Sequence, residues 1–78
     1  MTREELLKSK VIKALAIAVS AKSTNRYEKM FLEQVAIEVS KYDVYSGKIA
    51  EAALFYVSRL EETPAIIVLK RDLADLLN

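Results

Sequence analysis

Apolar residues recur along this chain at intervals of three and four, the period of helices that each bury one face. In the first segment Leu7, Val11, Ala14, Leu15 and Ala18 share a face, and they follow Thr2 and Glu5. A hydroxyl with an acid three residues later is a capping box, in which each side chain satisfies a free backbone amide at the helix start. The pattern predicts a helix that ends near Lys22, in the polar stretch Ser23-Thr24-Asn25. Asn25 with Glu28 repeats the capping spacing, with Ser23 or Thr24 as competing caps. The second helix carries Tyr27, Phe31, Val35, Val39 and Tyr42 as its stripe, widened by Leu32 and Ala36. A connection is expected over Asp43 to Gly47, where the one glycine lies with two cap candidates, Asp43 and Ser46. A third helix then places Ile49, Ala53, Tyr56, Val57 and Leu60 on one face.

The last segment admits two structures. Thr63-Pro64 has the form of a cap followed by proline at the first helical position, where its missing amide proton does no harm. Ile66, Leu69, Leu73 and Leu76 alternate by three and four, a heptad-like seam. The β-branched run Ile66-Ile67-Val68 leaves a short strand before the helix as the alternative. The expected fold is all-α: one domain over residues 1–78, a small three- to four-helix bundle whose last segment is helix, or strand then helix.

Not every apolar residue is used by these stripes. With about 100° between successive residues of a helix, Leu6 and Ile17 fall beside Lys10 and Lys13 on the first helix. Met30 and Ile37 fall among Lys29, Glu33 and Lys41 on the second, and Phe55 lies between Lys48 and Glu62 on the third. Ile67 and Val68 lie off the final seam. A four-helix packing can bury more than one stripe per helix, which is an alternative account of Leu6, Ile17 and Met30. An aromatic ring between charges is costlier to leave in water, and a contiguous exposed apolar patch marks a protein contact. The surface containing Phe55 and Ile37 is therefore the leading candidate for contact with another chain, with Met30, Ile17, Leu6 and Val68 as further interface residues.

Size sharpens that expectation. A domain near 80 residues buries only about 60% of its unfolded surface and often needs a staple. This chain has no cysteine and no histidine, so it can form neither a disulfide nor a Cys/His zinc site. Dense helix packing or association must take their place. Single Gly and Pro residues beside many Lys and Glu give a composition like that of heat-adapted proteins. The run Val11 to Ala21, broken by Lys13 and Ser20, is shorter than the roughly 20 apolar residues a membrane span needs. With acids at Glu4 and Glu5 and no visible leader, the chain reads as cytoplasmic and without a membrane partner.

The net charge of +1 conceals an asymmetry. Residues 1–29 hold seven basic and three acidic side chains, while residues 30–78 hold five and eight. Lys8, Lys10, Lys13, Lys22, Arg26 and Lys29 form the candidate basic surface, and phosphate binding is driven by such clustering. Tyr45 and Lys48 are added as a residue able to stack on a base and a neighbouring cation. Tyr27 and Tyr42 are expected in the core with their hydroxyls at its edge. The stretch Val35-Ala36 to Val39-Ser40, a turn, and a helix ending Ser58-Arg59-Leu60-Glu61-Glu62 loosely resembles winged-helix DNA-binding proteins, over about a third of the chain. It departs from them in two ways. The connection from Tyr42 to Gly47 exceeds the usual turn, and the would-be recognition helix offers only Lys48 near its start. The chain is not assigned to that family.

Catalysis has little to draw on. The commonest general base and the most reactive nucleophile are both missing, and Ser9, Ser20, Ser46 and Ser58 have no base spaced to activate them. Glu61-Glu62 and Asp72 with Asp75 are acid pairs, but two carboxylates alone make a poor magnesium or calcium site. No cofactor, metal or small-molecule substrate is expected. Two functional expectations follow: a non-enzymatic accessory or adaptor protein that docks on a protein partner or a second copy, or a small DNA- or RNA-binding protein. A small subunit of a nucleic-acid-processing assembly would reconcile the two.

Overall fold

Side-chain caps set three of the helix starts, while the helix beginning at Ile49 has Lys48 at its cap position and no side-chain cap bond. The Glu5 amide donates to Thr2 Oγ1 at 3.2 Å. At the second start the box is complete: the Glu28 amide donates to Asn25 Oδ1 at 2.8 Å, and the Asn25 amide to Glu28 Oε1 at 3.0 Å. At the last, the Ile66 amide donates to Thr63 Oγ1 at 3.4 Å, with Pro64 in the first turn. The computed structural model describes residues 2–41 and 48–77. Among them lie helices α1 (Arg3–Ser20), α2 (Arg26–Ser40), α3 (Ile49–Val57) and α4 (Pro64–Asp75), and no strand.

The strand alternative for Ile66-Ile67-Val68 is thus resolved in favour of helix. β-Branched residues cost only a few tenths of a kcal/mol each in a helix. The Thr63 cap and the burial of Ile66, Leu69 and Leu73 on one face outweigh that. Lysines and serines close the other ends. Lys8 Nζ donates to the Ser40 carbonyl at 2.9 Å, and Lys70 Nζ to the Leu60 carbonyl at 3.3 Å. Ser20, Ser40 and Ser58 each donate to the carbonyl three residues back, at 3.0, 2.7 and 2.7 Å. These are local bonds that compete with helix continuation.

Two sequence expectations need correction. The buried face of α2 is Leu32, Val35 and Val39 with Glu28, not a stripe headed by Tyr27. Glu28 is only 4% exposed, whereas Tyr27 is 69% exposed and Phe31 half-buried. The capping box explains the rotation, because Glu28 turns its carboxylate back to the Asn25 amide and Tyr27, one residue earlier, then points away. Tyr42, Asp43, Ser46 and Gly47 lie outside the described residues. In addition α3 ends at Val57, so Leu60 is buried from the following connection, where its amide bonds the Val57 carbonyl at 3.0 Å.

Within the bundle α1 and α3 each pack on all three other helices, while α2 and α4 flank that central pair without meeting among the described residues. Val11, Leu15 and Ala18 of α1 face Ile49, Ala50, Ala53 and Val57 of α3, with Leu32, Val35 and Val39 on one side and Ile66, Leu69 and Leu73 on the other. The alanines let α1 and α3 approach across the middle. Each larger core side chain contributes about 1.5–3 kcal/mol by leaving water. The connection from α1 to α2 is anchored by buried Thr24, whose hydroxyl donates to the Ala18 carbonyl at 2.6 Å. Among the described residues no buried side-chain nitrogen or oxygen lacks a hydrogen bond, and no helix is long and apolar enough to cross a membrane.

Candidate protein-docking surface

Leu6, Ile17, Met30, Ile37, Phe55 and Val68 are all exposed, as are Ile67 and Tyr27. A single exposed apolar residue is ordinary, so their grouping decides what they mean. Two of them, from different helices, line the same groove. Ile17 on α1 is 57% exposed and Val68 on α4 is 42% exposed, and both line an apolar groove of about 320 Å³ with Ala14, Ala18, Ala21 and Ala65. Alanine methyls are too short to fill the space between the two helices, which is why the groove is there. Its floor rests on Leu69, a core residue.

The same side of the bundle continues toward the start of α1. Leu6 and Lys10 of α1 line a second depression with Asp75, Leu76 and Leu77. The α1 terminus opposite the start of α4 is therefore its C-terminal one, so the two helices run antiparallel. Between the apolar ends stand Lys10 and Lys13 on α1, both exposed, and half-buried Asp72 with exposed Asp75 on α4. None of these four charges forms an ion pair among the described residues.

Phe55 behaves differently. Its ring is 61% exposed, but the Arg59 guanidinium sits 5.3 Å from the ring centroid and Tyr56 meets its edge at 5.9 Å and 69°. The shallow depression beside it is lined by Lys48, Glu51, Ala52 and Tyr56. Among the described residues all belong to α3 or its cap, and Ile37 is not one of them. Met30 and Ile37 lie on the face of α2 opposite Leu32, Val35 and Val39. Phe55 is thus attended by its own helix, and α2 adds nothing to its pocket.

The basic residues are divided. Lys8 is spent on the end of α2, and Lys10 and Lys13 belong to the α1–α4 side. Lys22, Arg26 and Lys29 are exposed around the first connection, Lys48 is exposed before α3, and Tyr45 lies outside the described residues. No group of three His, Cys, Asp or Glu side chains able to hold a metal stands together among the described residues. Ser20 and Ser58 are engaged at helix ends. A more polar cleft by Arg59 and Glu61 contains Glu28, whose carboxylate is committed to the α2 cap.

Sequence reasoning singled out Ile17 and Val68 separately and missed their pairing. It also missed the alanine floor, whose signal was the spacing of Ala14, Ala18 and Ala21 on one side of α1. Compared with protein-family models, with curated proteins and with solved structures, the chain matches none, so the surface itself is the ground for a functional assignment.

Proposed function

We propose that this protein is a non-enzymatic helical adaptor that docks on another protein chain along the side formed by α1 and α4. The observation that carries this is that exposed Ile17 and Val68, from two helices, line one apolar groove with four alanines. An aliphatic side chain from a partner would enter that space and remove both residues from water, a gain of about 25 cal/mol for each Å² of apolar surface covered. Concave, apolar ground with charges beside it is where a partner's anchoring residue gains most. The cysteine-free composition fits a cytoplasmic role. Exposed Lys22, Arg26 and Lys29 fit a place beside nucleic acid in a larger assembly, reached without a recognition helix.

A photo-crosslinking amino acid at position 68, activated in the native cell, tests the assignment. The expected product is a crosslink to a protein chain that disappears when Ile17→Glu is added. Absence of any protein crosslink from position 68 would contradict the assignment.

A further inference from the structure

We infer that the chain occupying the α1–α4 side is a second copy of this protein, placed by a two-fold axis that runs parallel to the helices. The inference rests on the docking surface proposed above and adds the identity of the partner.

The register of the two helices carries the argument. The groove is lined by residues 14–21 on one side and residues 64–72 on the other, and we take the middles of the two sets, Ile17 and Val68, as matching levels. Because α1 and α4 run antiparallel with the same rise of about 1.5 Å per residue, each step back along α1 matches one step forward along α4. Lys13 then falls level with Asp72 and Lys10 with Asp75, and the second pair also lines one depression with Leu6 and Leu77. This side therefore presents a basic strip on α1 beside an acidic strip on α4, with apolar residues at both ends. Arg71, the basic residue of this part of α4, falls level with Ala14 and so opposes no lysine.

Symmetry now selects one arrangement. A two-fold axis across the helices would lay α1 on α1 and α4 on α4, lysines on lysines and aspartates on aspartates. An axis along the helices lays α1 of each copy on α4 of the other, with levels preserved. Ile17 then covers the partner copy's Val68, Lys13 meets Asp72 and Lys10 meets Asp75, and every contact occurs twice. Like charges placed together suppress the wrong pairing, and unlike charges fix the register.

Charge exchange tests this directly by sedimentation equilibrium on the pure full chain. Wild type is expected to be a dimer. Lys10→Asp with Lys13→Asp sets acid against acid in both halves of the interface, and Asp72→Lys with Asp75→Lys sets base against base. Each double variant alone should dissociate, its Kd rising at least about tenfold. Mixed in equal amounts, the two should form a heterodimer, because every lysine again meets an aspartate. A chain carrying all four exchanges should dimerise by itself, which covers the case in which one double variant folds poorly. Monomeric wild type at 100 µM (about that of a weak transient contact) would overturn the inference. So would double variants that dimerise as wild type does. A crosslink from position 68 to a foreign chain alone would overturn the second copy as partner while leaving the docking surface standing. No protein crosslink at all would remove both.

Discussion

The α1–α4 side and the outer face of α3 both leave large apolar side chains in water, yet they differ in what surrounds those side chains. On α3 the Phe55 ring has the Arg59 guanidinium over one face and Tyr56 at its edge, all from one stretch of chain. On the α1–α4 side Ile17 and Val68 come from distant parts of the sequence and share a concave space that none of the described residues fills. Exposure is common to both regions, and convergence belongs to one. An apolar residue that its own helix can attend to has a local account, whereas a hollow made by two helices calls for a partner.

The sharpest way to break this contrast is to attack the floor of the groove. Leu69 is buried and lies beneath it, so Leu69→Ala should cost about 2–5 kcal/mol in urea unfolding. A loss below about 1 kcal/mol would mean that the groove does not rest on the core. Next in size is a plug. Ala65→Phe should fill the space from within and weaken self-association about tenfold, while the far-UV spectrum keeps its helical form; unchanged association would show that partners do not enter the groove. On the other face, Arg59→Ala should cost only about 0.5–1 kcal/mol, the scale of an exposed cation–π contact, as read from a thermal melt. Smallest of all, Phe55→Glu should leave the association constant unchanged. A dimer that dissociates on that substitution would move the interface to α3 and reverse the contrast.

Local physics made the helices legible in advance. Thr2, Asn25 and Thr63 act through the first turn alone, so their roles could be read from spacings of three residues, and helix starts followed. The choice of helix for Ile66 to Val68 was open because β-branching and the Leu69–Leu73 period point in opposite directions, and only burial decides between them. The face of α2 was misjudged for a related reason. Tyr27, Phe31 and Val35 form as regular a stripe as Glu28, Leu32, Val35 and Val39, and an acid is not counted as a core residue until its carboxylate is seen bonded to its own cap. The docking side was legible only in pieces. Ile17, Leu6 and Val68 each stood off a stripe, but which helices are neighbours, and at what level, is tertiary information that no periodicity contains. For the same reason Phe55 looked strongest from its isolation between Lys48 and Glu62, when a third charge, Arg59, sits over its ring.

The claim that the α1–α4 side is the docking surface is tested most directly by sedimentation velocity on wild type and Ile17→Glu, run side by side with a thermal melt of each. Ile17 is exposed, so a carboxylate there is not buried in the isolated chain and should leave the melt nearly unchanged. The account predicts a dimer for wild type and a monomer of unaltered helicity for the variant. If Ile17→Glu associates as strongly as wild type, the claim is contradicted.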